Sequence, residues 1–346
     1  MIKPCPYGSH RVISPIGALP QSADVIDNTM ICYDNEILID VKTLNIDSAS
    51  FTQIKEACNG NEEKMIEMIQ EIVSRRGKMQ NPVTGSGGML LGRVEEIGKD
   101  LNLDLKIGDS VATLVSLSLT PLKITKIKSI HLDKDQVDIE GKAILFQTGI
   151  YAKIPHDLPA DIVLSALDVA GAPAQVAKLV KPSDNVLIIG AGGKSGVLCS
   201  YQARKSAGKD GHVYGVIYDK REYDDLFNLH VCDEIIIADA RIPMDVYSKV
   251  MNASHQSKMD VTINVVNVPN TEMSSILPTK DFGIVYFFGM ATSFSKAALG
   301  AEGIKSEATM MIGNGYTSNH DQITLDLLRE SKQLLDLFKK RYGSEK

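Results

Sequence analysis

A chain of 346 residues, 44% hydrophobic and 23% charged, has the balance of an ordinary globular protein with room for two domains. Its net charge of −6, with basic residues scattered and never interleaved with aromatics, argues against nucleic acid as a partner. No apolar run approaches the roughly 20 residues needed to cross a bilayer, and the first residues lack the build of a secretory signal, so a cytoplasmic protein with no membrane partner is expected.

The five cysteines, Cys5, Cys32, Cys58, Cys199 and Cys232, fall at no metal-ligand spacing and read as reduced thiols. The first half of the chain reads as β-rich. Residues 36–42 alternate apolar and polar as a half-buried strand does. Over residues 61–76 the period changes: Met65, Met68, Ile69, Ile72 and Val73 recur at helical spacing, with glutamates on the other faces. The turn Thr84-Gly-Ser-Gly-Gly88, a strand over 90–97 and a Gly-Asp turn feeding a strand at 106–113 complete the pattern of a small barrel or partly open sheet.

From about residue 166 the rhythm becomes strand, helix, strand, helix. Candidate strands lie at 185–189, 212–217, 234–237, 260–266, 283–288 and 309–312, apolar without alternation, as strands covered on both faces should be. They predict an α/β fold with a doubly wound parallel sheet of the Rossmann kind. The tail, residues 321–340, carries Leu327, Leu328, Leu334, Leu335 and Phe338 on one helical stripe.

The strongest motif follows the first of these strands: Gly190-Ala-Gly-Gly-Lys-Ser-Gly196, one residue longer than the common dinucleotide turn. Gly190 permits the tight turn, Gly192 or Gly193 admits a pyrophosphate to the backbone, and Gly196 lets the next helix pack closely. The helix start near Lys194 and Ser195 then faces the phosphates, and Lys194 points either to them or to solvent. Asp219, 23 residues beyond Gly196, fits the acid that holds a ribose diol. Lys220 and Arg221 beside it could instead hold a 2′-phosphate, so NAD and NADP both stay open.

In this order of domains the chain resembles the medium-chain dehydrogenase/reductase superfamily. The likeness runs through residues 36–51, Gly92-Arg-Val-Glu-Glu-Ile-Gly98 with Lys106-Ile-Gly-Asp109, and Val180-Lys-Pro-Ser-Asp184 leading into the glycine turn. Residues 6–12, 85–93 and 168–173 are similar, more narrowly, to a branch that oxidatively deaminates a small diamino acid in lysine fermentation. The resemblance implies a β-rich, GroES-like substrate domain over 1–165, joined by a C-terminal helix over 320–346, and a Rossmann domain over 166–319. It implies NAD or NADP as cofactor, a small-molecule diamino acid as substrate, and a homodimer joined near the fifth and sixth parallel strands. Nicotinamide contacts after the later strands fall, by position, on Gly289 and Asn314.

Where zinc-dependent members carry their ligands, this chain has Asp47, Gly88 and Ser165, and the four-cysteine loop is missing, so a zinc-free reaction is expected. Deaminating an amine requires a base, an acid to hold a second ammonium and a cation for the substrate carboxylate. Asp47 occupies the superfamily's position at the reacting carbon and is the first candidate base; it could equally cap a helix. Asp168 could hold an ammonium or cap residues 169–178. His10 could relay a proton and Arg11 grip a carboxylate in a bidentate way, or both could be surface residues. The competing functions are a zinc-free enoyl-thioester or quinone reductase of the same fold, and a non-catalytic nucleotide-binding redox sensor.

Overall fold

The computed structural model describes residues 4–313 and 315–343; the expected contact Asn314 lies outside the described residues. The chain divides into two compact units, Met1–Leu164 and Ser165–Lys346.

In the first unit, β1 (Val12–Ser14) pairs with β2 (Val25–Ile26) as a short ribbon. The main sheet is antiparallel and built from β3 (Glu36–Asn45), β4 (Met89–Ile97), β5 (Ser110–Thr113), β6 (Leu122–His131), β7 (Gln136–Phe146) and β8 (Tyr151–Lys153). Their spatial order is β6-β7-β3-β4-β5-β8, and the two outer strands do not pair, so the sheet stays open. Between β3 and β4 the chain forms α1 (Ser48–Ala57) and α2 (Glu62–Arg76). The side chain of Asn61 starts α2 by accepting the Lys64 N–H at 3.0 Å. The apolar face read from the sequence then buries Met65, Ile69, Ile72 and Val73 against Phe51, Ile54 and the inward residues Ile37, Ile39 and Val41 of β3.

The second unit begins with α3 (Ala160–Leu167), in which the division falls, and α4 (Gly171–Leu179). It continues as β9 (Asn185–Ile189), α5 (Lys194–Ala207), β10 (His212–Ile217), α6 (Tyr223–Leu229), β11 (Glu234–Ile237) and α7 (Pro243–Ala253). Then follow β12 (Met259–Asn264), α8 (Glu272–Ile276), β13 (Thr279–Phe287), α9 (Phe294–Gly303) and β14 (Thr309–Ile312). All six strands run parallel in the order β11-β10-β9-β12-β13-β14. The order reverses between β9 and β12, which opens a crevice beyond their carboxyl ends.

The C-terminal stripe is two helices, α10 (His320–Glu330) and α11 (Lys332–Tyr342). Ser331 stands between them in extended conformation, and its Oγ accepts the Leu334 N–H at 3.1 Å. The expectation that residues 320–346 join the first unit is corrected here: α10 packs on α4 and α5, and α11 on α6, all in the second.

A buried ion pair ties the start of the chain to β3. Arg11 is 1% exposed and donates Nε and Nη2 to the two Glu36 carboxylate oxygens at 2.7 and 2.6 Å. Its remaining N–H groups reach the carbonyls of Thr29 at 2.8 Å, Ile31 at 2.7 Å and Asp27 at 3.5 Å. His10 receives the Cys5 N–H on Nδ1 at 3.0 Å, so Nε2 carries the proton that it donates to Glu36 at 2.8 Å. Burial pushes the Glu36 pKa up, but the hydrogen bonds from Arg11 and His10 outweigh it and hold the carboxyl below its usual value. Glu36→Gln leaves the buried Arg11 only the half-exposed Asp27 carboxylate, 3.6 Å away, as counter-charge, and denaturant titration should show a loss of about 3 kcal/mol. Because the folded pKa is depressed, this stabilisation is complete above the unfolded value of about 4.3 and is lost as pH falls through the folded one. The variant should therefore lose less stability on acidification than the parent.

Candidate functional site

The glycine turn is built as its spacing requires. β9 is fully buried from Val186 to Ile189 and stops at Gly190, whose φ of 88° is left-handed. The N–H groups of Gly190 and Ala191 both donate to the Val216 carbonyl at 2.9 Å, which bends the chain back across β10. A Cβ at residue 196 would overlap the Gly190 carbonyl oxygen, so only glycine lets α5 begin this close to β9.

The two middle glycines serve different ends. Gly192 is buried, and a Cβ there would lie 2.5 Å from the Glu222 carboxyl carbon. Gly193 is exposed, and a Cβ there would meet only the Gly190 oxygen, at 3.6 Å. Gly193 is also the N-cap of α5 and supplies no side-chain acceptor. The first-turn N–H groups of Ser195 and Gly196 therefore have no intrahelical partner and lie at the helix start beside Gly193. That arrangement fits a dinucleotide phosphate, with open room where the phosphate would lie.

Side chains surround the turn in charged pairs. Lys194 Nζ donates to Asp168 at 2.6 Å and lies 5.8 Å from the centre of the Tyr342 ring. The ammonium beside Asp168 in the structure is that of Lys194, and α4 starts from Ala170 without a side-chain cap. Asp219 lies past the end of β10 and takes the Arg221 backbone N–H at 2.9 Å and its Nε at 2.8 Å. The Arg221 guanidinium holds that carboxyl below its usual value. Lys220 is exposed on the short 3-10 turn after Asp219. Glu222 ends the same turn beside Gly192; burial raises its pKa and Arg341 opposes the rise. Gly289 stands beyond β13, where a Cβ would overlap the Val266 carbonyl beyond β12.

In the first unit Asp47 caps α1, accepting the Ser50 N–H on Oδ1 at 3.0 Å. Its other oxygen, Oδ2, is buried and has no hydrogen-bond partner among the described residues. Gly88 packs against the Asp47 backbone, and any side chain at 88 would strike the Asn45 carbonyl. His10 and Arg11 are corrected from substrate contacts to structural residues: every N–H of Arg11 already has an acceptor inside the unit. Among the described residues, no group of three or more His, Cys, Asp or Glu side chains is placed to hold a metal ion.

Glu222, Arg341 and Tyr342 were not legible as site residues. Arg341 closes a basic run, Lys339-Lys340-Arg341, that reads as ordinary helix-end charge. In the structure its Nη1 donates to the Gly192 carbonyl at 2.7 Å.

The roles of exposed Gly193 and buried Gly196 separate by mutation. Gly193→Val places a side chain where the phosphate would sit without straining a φ of −75°. Fluorescence titration should show nucleotide affinity falling at least about tenfold with the melting temperature nearly unchanged. Gly196→Ala, by contrast, should lower the melting temperature itself.

The comparisons with known proteins meet this geometry. The family described as the L-erythro-3,5-diaminohexanoate dehydrogenase N-terminal domain matches residues 10–155. L-erythro-3,5-diaminohexanoate dehydrogenase of Fusobacterium nucleatum subsp. nucleatum is 59% identical over 344 residues, covering 99% of this chain and 100% of the relative. The enzyme of the same name from Acetoanaerobium sticklandii is 56% identical over 343 residues, 99% of this chain and 100% of the relative. Escherichia coli quinone oxidoreductase complexed with NADPH shares the fold at 16% identity, with a TM-score of 0.52 over 92% of this chain and 84% of that one. The chain belongs to the L-erythro-3,5-diaminohexanoate dehydrogenase family, oxidoreductases acting on a CH–NH2 group.

Proposed function

We propose that the protein converts L-erythro-3,5-diaminohexanoate to 5-amino-3-oxohexanoate and ammonia, with NAD or NADP as electron acceptor and without zinc. The near full-length relatives named for this dehydrogenase carry the reading. The open phosphate turn at Gly193 and the NADPH complex of the E. coli protein of like fold support a nicotinamide nucleotide. Asp47, Gly88 and Ser165, at the positions of the zinc ligands, are not a donor set that holds zinc. A place in lysine fermentation in the cytoplasm goes with the reaction. A homodimer through the sheet edge is supported by β14, which is the outer strand and carries Ile312 at 66% exposed.

The bound nicotinamide supplies the acceptor for one hydride from the amine-bearing carbon. What the chain must do is strip a proton from the substrate ammonium, so that the nitrogen lone pair can push that hydride out. Asp47 is the proposed base. Its Oδ1 is spent on the helix, but Oδ2 is buried with nothing to bond, a costly state that an ammonium would relieve. The proton passes from nitrogen to Oδ2. Water then adds to the carbon of the resulting iminium and ammonia leaves, so the ketone, ammonium and one released proton balance the equation.

Of the two nucleotides we favour NAD. The Glu222 carboxylate lies against Gly192, and a 2′-phosphate brought beside the turn would meet its charge. Two of the nearby cations are already engaged, Arg221 by Asp219 and Arg341 by Asp225, which leaves the exposed Lys220 to set against Glu222.

Purified protein supplied with the diamino acid and NAD should form reduced nicotinamide and ammonia one for one, at a rate that chelators leave unchanged. Reduction of an enoyl thioester, with no response to the diamino acid, would instead establish the competing reductase reading. Asp47→Asn keeps the helix cap yet should lower kcat by about 100-fold or more with nucleotide affinity intact; unchanged kcat removes Asp47 as the base. Glu222→Gln should narrow the kcat/KM preference for NAD over NADP, and an unaltered ratio would exonerate Glu222.

A further inference from the structure

We infer that α11 is a working part of the dinucleotide site and that Arg341 is a positioning residue for the phosphate turn. The inference rests on the nicotinamide-nucleotide reading above and goes beyond it by adding a helix remote in sequence from the turn.

Two consecutive side chains of α11 reach the turn at two points. Arg341 Nη1 donates to the Gly192 carbonyl at 2.7 Å, and the Tyr342 ring lies 5.8 Å from Lys194 Nζ. The peptide unit between Gly192 and Gly193 is then gripped at both ends, since the Gly193 N–H donates to Gly190 at 3.2 Å. Its orientation decides how α5 leaves the turn and where the uncapped N–H groups aim. Two adjacent glycines have no Cβ to hold that plane by themselves. The guanidinium does so from outside.

Arg341 is in turn aimed by α6. Its Nε and Nη2 donate to Asp225 Oδ2 at 3.2 and 2.7 Å, while Lys340 Nζ donates to Oδ1 at 3.0 Å. The side chain is 19% exposed. Paired with Asp225, it brings little net charge to a phosphate; it acts through the Gly192 carbonyl. Nor does α11 depend on it for attachment. Leu334, Leu337 and Phe338 are buried, and Ser331 caps the helix.

The test uses the full chain with Arg341→Met, Arg341→Lys and Asp225→Asn, measuring NADH affinity by fluorescence titration, melting temperature, and KM and kcat separately. Arg341→Met should weaken NADH binding and raise the nucleotide KM about tenfold, the scale of one charge-assisted hydrogen bond. The amine KM and kcat should stay within about twofold and the melting temperature near that of the parent. Arg341→Lys, which can still donate to Gly192, should recover most of the affinity, and Asp225→Asn should fall between. NADH affinity unchanged in Arg341→Met overturns the inference. So does a uniform loss of melting temperature, affinity and kcat that lysine fails to rescue, which would make Arg341 merely structural. If Arg341→Met does not fold, parental affinity in both other variants overturns it, and weakened affinity in Asp225→Asn with its melting temperature kept upholds it. A parent protein that binds no NADH overturns the cofactor reading, and this inference with it.

Discussion

Gly190 and Gly196 meet where β9 gives way to α5, and the carbonyl of the first occupies the space a side chain on the second would need. This approach presses the helix start against the strand end and sets the direction of the helix's free N–H groups. Interiors packed at crystal density do not absorb even one added methyl at such a point without moving backbone. β9 cannot yield, because it is central in the sheet, hydrogen-bonded to β10 on one side and β12 on the other. The topology therefore turns a local demand for glycine into a fixed direction for the N–H groups at the start of α5.

Charge around the turn is largely self-cancelling. Lys194 is held by Asp168, Arg221 by Asp219 and Arg341 by Asp225. Cations spent this way steer distant anions weakly, so on the proposed reading recognition of a diphosphate would fall to backbone N–H groups and the helix dipole, which act only at contact range. Glu222 remains, with its carboxyl half-buried against Gly192. On the proposed nicotinamide reading, such a turn would attract through its backbone and repel through Glu222, and so discriminate at the ribose rather than gather any phosphate.

The central parallel strands were legible because burial on both faces leaves unbroken apolar runs, while β14 kept such a run although it lies largely exposed at the sheet edge. Residues 185–189, 212–217, 234–237 and 309–312 match β9, β10, β11 and β14 end to end. The hairpin of β6 and β7 escaped notice although it contains the longest strand of the chain, since register shifts near Ile124 and Ile127 break the two-residue period that betrays a half-buried strand. Asp47 shows a different limit. Its sequence context allowed both a helix cap and a reactive carboxylate, and the structure divides the two oxygens between cap and vacancy of bonding. Long-range pairs were illegible in principle: nothing local connects Arg11 to Glu36, or Lys194 to Asp168.

The two C-terminal helices carry that point furthest. Their leucines form a stripe that continues through Ser331, and a continuous helix over these residues would run straight for about 35 Å. Ser331 breaks it instead, extended in backbone and accepting the Leu334 N–H, so α11 sets off in a new direction and lands on α6. Only from there can Asp225 orient the guanidinium that holds the Gly192 carbonyl. The geometry of the glycine turn thus depends on a serine far along the chain, through a bend that hydrophobic periodicity cannot register because both helices keep the same period on either side of it.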